Sequence, residues 1–377
     1  MKVLFLINDP TILDLGSSAH SRAKENAIAI GELHVLVLGA ADEERDEGSL
    51  RIQVLKRPRM GADAALKKAA LRRIQNCSID AVWVQDPFEL GAIAAAAAKE
   101  AGLPYYVTVK TDFLSPWYAE RTGLFRSAQV AVPKGNAKRI ALARQTLPDA
   151  AGIRVMSERV KEGLVKEFGA SIPMPEVIPV GVHAAPPVPS RLPVMYPFTL
   201  VAAGRLDAGR RVVDIIDALA LIKDKYPGIG LFVIGDGPER ASLEKRVRRK
   251  GLGDRVEFLG ERRDTWGLIR CAHAFVQASA HEGYGRRLLQ AALARVPIIT
   301  TDVGIVGEAF KGYDDVLAFP PGDPTALSVH MVGLMEDVQA RQLLAMNAEA
   351  SAKRYLQEAG NIPERIARFL ATPRRVT

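Results

Sequence analysis

Short runs of β-branched and other apolar residues recur along the chain, separated by longer stretches in which apolar positions return every three or four residues. In the first half these runs fall at 3–7, 34–38, 52–55, 81–84, 105–109, 129–132 and 153–156. Strand-like runs alternating with helical patterns predict a parallel sheet with helices on both faces. The passage 184–193 holds four prolines, which exclude both a regular helix and a central strand, so the domain linker is expected at 184–195. The pattern then restarts at 198–203, 230–234, 255–259, 274–276 and 297–300. The chain therefore reads as an α/β protein with a first domain at 1–183 and a second at 196–355. A last helical pattern in 356–377 has no strand after it and is expected to pack back on the first domain.

Length and composition agree with two cores: 377 residues, 48% of them hydrophobic, exceed what one core usually spans. Cys77 and Cys271 stand far apart with no partner at metal-ligand spacing, which supports neither a disulfide framework nor a metal site and fits a reducing, cytoplasmic setting. The opening MKVLFLINDP is too short an apolar run for a leader or a span and reads as a first buried strand. The alanine-rich run near 90–98 ends in Lys99-Glu100 and reads as a helix packed within a domain.

Net charge is +8, a balance that attracts anions of any kind. Aromatic residues make up 6% and do not interleave with the basic clusters, so nucleic acid is not the expected partner. The segment 56–74 carries Lys56, Arg57, Arg59, Lys67, Lys68, Arg72 and Arg73 against Asp63, with Leu66, Ala70 and Ile74 on one helical face. Two readings stand: a helix lying on an anionic membrane surface, or one packed on its sheet with a solvated basic face.

In open parallel sheets ligands bind beyond the carboxyl ends of the strands. After the 198–203 run come Gly204-Arg205-Leu206-Asp207-Ala208-Gly209-Arg210-Arg211, where glycines admit close backbone approach and guanidinium groups suit phosphate oxygens. A solvated basic turn would have the same composition. After 230–234 come Gly235-Asp236-Gly237-Pro238-Glu239, a turn with Pro238 expected at the first helical position. The spacing is not G-x-G-x-x-G, so a nicotinamide cofactor is not expected. The segment Ser279-Ala280-His281-Glu282-Gly283-Tyr284-Gly285-Arg286-Arg287-Leu288-Leu289-Gln290 places an acid and two glycines before a helix N-terminus, where an anion is favoured. Alone, Glu282 reads equally as a capping or solvated acid.

Together these residues resemble the retaining glycosyltransferases of family 4, which have the GT-B fold. The resemblance rests on Gly204-Arg205-Leu206 with Arg210, on 234–238, 258–260, 297–304 and 320–323, and on the Glu282 segment, in order across most of the second domain. It implies two Rossmann-like parallel-sheet domains facing each other across a cleft. By the same resemblance Arg205 and Arg210 bind the donor diphosphate, Glu282 contacts sugar hydroxyls, and Gly204, Gly260, Gly283, Tyr284 and Gly285 line the donor site. Gln290 stands where the family usually has a second acid for the nucleotide ribose, so Gln290→Glu is expected to strengthen donor binding, and Arg205→Ala to abolish turnover. In the first domain Gly16 aligns with a loop facing the donor. Lys110 occupies a strand end that often bears a histidine, as a phosphate-stabilising group or as an inert surface lysine. Trp117 and Tyr118 are candidate acceptor-site aromatics.

The implied activity is transfer of a sugar, with retention, from a nucleoside-diphosphate sugar to a hydroxyl of a glycan or lipid-linked acceptor. No cofactor or metal is expected, because arginines supply the charge that Mg²⁺ would otherwise provide. The implied site is cytoplasmic, with peripheral contact at the inner membrane face through 56–74. The alternative is a non-catalytic GT-B protein that binds a nucleotide sugar, motivated by Lys110 and Gln290.

Overall fold

A computed structural model describes residues 1–115, 134–182, 190–193 and 196–372. The chain divides into two compact units, Met1–Gly181 with Ala359–Thr377, and Val182–Glu358.

The first unit contains β1 (Lys2–Ile7), α1 (Ser18–Ile30), β2 (Glu32–Gly39), β3 (Glu43–Glu47), β4 (Leu50–Lys56), α2 (Ala62–Cys77), β5 (Ala81–Val84), α3 (Glu89–Ala101) and β6 (Tyr105–Val109). It continues with α4 (Lys134–Thr146), β7 (Gly152–Val155), α5 (Glu158–Phe168) and β8 (Glu176–Val177). The strands lie in the order β3-β4-β2-β1-β5-β6-β7-β8. Strands β5, β6 and β7 are buried at every position, as expected of a parallel sheet covered on both faces. One face packs Leu4, Leu6, Val82 and Val107 against helices α2 and α3, and the other packs Val3, Phe5, Val35 and Trp83 against α1.

The all-parallel expectation needs one correction: β3 runs antiparallel to β4 at the sheet edge. Its sequence, Glu-Glu-Arg-Asp-Glu, is charged throughout, with Glu43, Glu44 and Asp46 exposed, a composition that blocks further strand addition. The expected strand at 129–132 lies outside the described residues, as do Trp117 and Tyr118.

In the second unit are β9 (Phe198–Ala203), α6 (Val212–Ile222), β10 (Ile229–Ile234), α7 (Arg240–Arg249), β11 (Val256–Gly260), α8 (Thr265–Arg270) and β12 (Ala274–Gln277). Then follow α9 (Arg286–Leu293), β13 (Ile298–Thr301), β14 (Leu317–Phe319), α10 (Pro324–Glu336) and α11 (Val338–Ala359). Its sheet has the order β11-β10-β9-β12-β13-β14, with every pairing parallel. The order reverses between β9 and β12, which makes the loops after these two strands the natural ligand position.

A final helix, α12 (Ile362–Ala371), belongs to the first unit. Its strong apolar face places Ile366, Phe369 and Leu370 in the core with Trp83, Tyr106 and Ile178. Phe369 meets Tyr106 edge to face at 5.3 Å, and the Tyr106 hydroxyl donates to the Thr372 carbonyl. A Cβ on Gly152 would stand 3.0 Å from the Phe369 ring, so that strand residue is small where the helix crosses it.

Helix α2 packs on its sheet through its apolar face. Lys56 ends a strand, and Leu66, Ala70 and Ile74, the helix's apolar face, are buried in the core. Lys67 pairs with Glu100 and Arg73 with Glu44, each at 2.8 Å. The apolar face is therefore not available to enter a lipid surface. No helix among the described residues is long and apolar enough to cross a membrane.

Candidate active site

The loops after β9 and β12 meet at the point where the second sheet reverses its order. After β9 the chain turns through Gly204 to Asp207, whose carboxylate caps a single helical turn by accepting from Arg210 N at 3.2 Å. The cap fixes the backbone of Arg210 and so directs its guanidinium. That group pairs with Glu282 in the loop after β12 and reaches Ser279 Oγ at 3.5 Å. Ser279 Oγ donates to Glu282 Oε1 at 3.2 Å, and the Ser279 carbonyl accepts from Thr301 Oγ1 at 2.6 Å. A buried serine thus holds acid and arginine in register, and β13 holds the serine. Neither Ser279 nor Asp207 was assigned a role from sequence, although both stand inside the motifs that pointed here.

The two loops are also tied through backbone: Ala280 N donates to the Gly209 carbonyl at 2.8 Å. A Cβ at Gly209 would lie 2.7 Å from His281 Nε2, so a larger residue here would push the imidazole aside. Burial holds the His281 imidazole below its usual range, and the nearby Arg210 adds to the effect against Asp207. The ring is therefore neutral at pH 7. Burial likewise lowers Arg210 from its ordinary value.

Helix α9 begins at Arg286 behind Gly285, whose φ of +96° serves as a left-handed N-cap. Its first amides and dipole favour an anion beside the Arg210–Glu282 pair. Gly204, Arg205, Leu206, Arg210, Gln277 and Ser279 line a concavity at this point, with the Arg205 side chain exposed. Gly283 and Tyr284 are buried; the Tyr284 ring is tilted on Tyr355 at 6.4 Å and its carbonyl accepts from Ile305 N at 2.9 Å. The Tyr284 side chain is thus a packing group, and the backbone around it is what the loop offers a ligand. Gln290 Oε1 accepts from Arg287 Nη1 at 2.7 Å, a contact with a residue that sequence reasoning passed over.

Gly260 is not part of this cluster. It ends β11, which β10 separates from β9 and β12, and its carbonyl accepts from Gly235 N at 2.7 Å. Pro238 also departs from expectation: α7 starts at Arg240, because Glu239 N is held by the Leu206 carbonyl at 2.9 Å and the chain turns once more before the helix.

In the first unit, Gly16 is exposed in the turn before α1, where its N–H donates to Asp14 Oδ1 at 3.3 Å and Ser17 caps the helix. Lys110 follows β6. Burial pulls its ammonium down to about 8, with Arg154 and Arg22 adding repulsion and Asp9 and Asp86 opposing it. Its side chain keeps exposed surface, so water screens part of that effect. Burial raises the carboxyls of Asp86 and of Asp112, two residues after Lys110.

Two parallel-sheet α/β domains of this kind define the GT-B class. Anabaena HepE, solved with UDP and glucose, has the same fold, with a TM-score of 0.76 at 20% identity over 98% of this chain and 99% of that one. Residues 191–351 match the family described as Glycosyl transferases group 1, and residues 27–185 match Glycosyltransferase Family 4. The 2-deoxystreptamine glucosyltransferase of Streptomyces kanamyceticus is 27% identical over 273 residues, 68% of each chain. The glycogen synthase of Mycobacterium tuberculosis is 28% identical over 195 residues, 51% of this chain and 47% of that enzyme. The match thus spans about half the length of the latter. The chain belongs to the group 1 glycosyltransferases.

Proposed function

We infer that this protein transfers a sugar from a nucleoside-diphosphate sugar to an acceptor hydroxyl, with retention and without a metal. The observation that carries the reading is Arg210, fixed by the Asp207 cap and by Glu282 at the strand-order reversal, beside the N-terminus of α9. The guanidinium groups of Arg205 and Arg210 and the α9 amides supply positive charge where the diphosphate leaves. The role assigned to them is to stabilise that developing charge. Glu282 takes the sugar hydroxyls. The departing diphosphate itself accepts the acceptor proton, so no side chain is assigned as general base. On this reading Lys110, at the end of β6, is a cation suited to a phosphate oxygen.

The acceptor is a glycan or lipid-linked hydroxyl. Arg57, Arg59, Lys68 and Arg72, with Met60 at 89% exposure in the loop before α2, support contact with an anionic membrane surface at the cytoplasmic face. HepE's complex makes a uridine nucleotide the first donor to try.

The test is thermal unfolding with UDP, GDP, ADP and dTDP in turn, with and without EDTA, followed by transfer assays with the corresponding sugars. A ligand at about a hundred times its dissociation constant stabilises by roughly 2.7 kcal/mol, a readily measured shift. One nucleotide is expected to give a chelator-insensitive shift. A shift abolished by EDTA would refute metal independence, and binding without turnover on any acceptor would favour the non-catalytic alternative that Lys110 and Gln290 first suggested.

A further inference from the structure

Arg287 is the second residue of α9 and projects on the same helical face as Gln290, to which it gives its hydrogen bond at 2.7 Å. Among the described residues no carboxylate pairs with it, and the charges that act on it most are two other cations, Arg286 and Arg210. Glu282, the acid of this site, is already held by Arg210 and Ser279. Burial, with the repulsion of those two arginines, lowers the Arg287 guanidinium to about 10. A half-buried cation whose hydrogen-bond partner is a neutral amide lacks a counter-charge, which an arriving anion would supply.

Building on the donor reading above, we propose that Arg287 is a third guanidinium for the donor diphosphate, alongside Arg205 and Arg210, and that Gln290 is its positioning residue. Glutamine suits that task because its carbonyl oxygen orients the guanidinium without neutralising it. A glutamate at 290 would instead form an ion pair with Arg287 across one helical turn and remove the charge from the site. The departure from the family's second acid and the appearance of a half-buried arginine three residues earlier are then one change. This reverses the sequence-based expectation for Gln290→Glu.

The experiment uses the full chain, the nucleoside diphosphate among UDP, GDP, ADP and dTDP that binds the wild type, and the matching monophosphate. Arg287→Gln is expected to weaken the diphosphate about 10- to 100-fold and the monophosphate less, with Arg287→Lys recovering part of the loss. The ligand-free melting temperature of Arg287→Gln should hold or rise, since a cation without a counter-charge has gone; a merely structural arginine would lower it. Gln290→Glu should raise the ligand-free melting temperature and weaken the diphosphate. Unchanged diphosphate affinity in Arg287→Gln, or tighter binding in Gln290→Glu, overturns the assignment alone. A wild type that binds no nucleoside diphosphate overturns the donor reading and this assignment with it.

Discussion

Removing Arg210 should separate the two things this residue does, because its partner is a carboxylate that the fold has largely withdrawn from water. Deleting one member of a fully buried ion pair costs roughly 3–5 kcal/mol, since the other is left charged and uncompensated. Here the Glu282 side chain is 10% exposed and that of Arg210 36%, so water reaches the pair mainly from the arginine side. Discounting by about half for that access gives about 2 kcal/mol for Arg210→Ala. In a unit of this size the midpoint of thermal unfolding then falls by roughly 4–8 °C.

The double variant Arg210→Ala/Glu282→Gln removes both charges and leaves Gln at 282 able to accept from the Ser279 hydroxyl. Most of the lost stability should return, a coupling that a thermodynamic cycle on the second unit's unfolding transition measures directly. Turnover should not return: losing one preorganised donor to the leaving group costs about 3 kcal/mol of barrier, a factor of 10²–10³, in the single variant, and the double variant also weakens the Glu282 contact to the sugar. A double variant as unstable as the single one would refute the ion pair as an element of the fold. Turnover preserved in Arg210→Ala would refute the placement of the diphosphate.

Two further outcomes follow from the first unit. Lys110, lowered to about 8, is charged below that pH and loses its proton above it, so kcat/KM should fall as pH rises through about 8 and Lys110→Met should be slow with that falling limb absent; an identical limb in the variant would exclude the lysine. Phe369→Ala removes a ring that is 4% exposed and set against Tyr106, and should cost the first unit roughly 3–5 kcal/mol in urea unfolding; a loss under about 1 kcal/mol would mean that α12 does not complete that core.

The strands were legible where both sheet faces are covered, because there nearly every position must be apolar. The runs at 81–84, 105–109 and 198–203 coincide with β5, β6 and β9 to the residue. Strand β3 was not legible, since an edge strand of Glu-Glu-Arg-Asp-Glu carries no apolar pattern to read. Strands β8 and β14 are two and three residues long, too short to stand out. The helix after Pro238 starts late because a tertiary hydrogen bond from Glu239 to Leu206, invisible in local sequence, prolongs the turn.

At the site the outcome divides along the same line between local composition and contact. Arg210 and Glu282 stood out because arginine, glycine and acid after a strand are locally unusual, and their meeting follows from β9 and β12 being neighbours at the reversal of strand order. Arg287 was hidden in a helical pattern in which one more arginine is unremarkable. Gln290 was visible as a departure, yet its sign could not be read from the chain: an acid there strengthens a site that lacks a nearby cation and weakens one that relies on it. The 2.7 Å contact between the two is what carries the sign proposed above. A substitution that looks like a lost charge is, with Arg287 beside it, a charge kept free for the ligand.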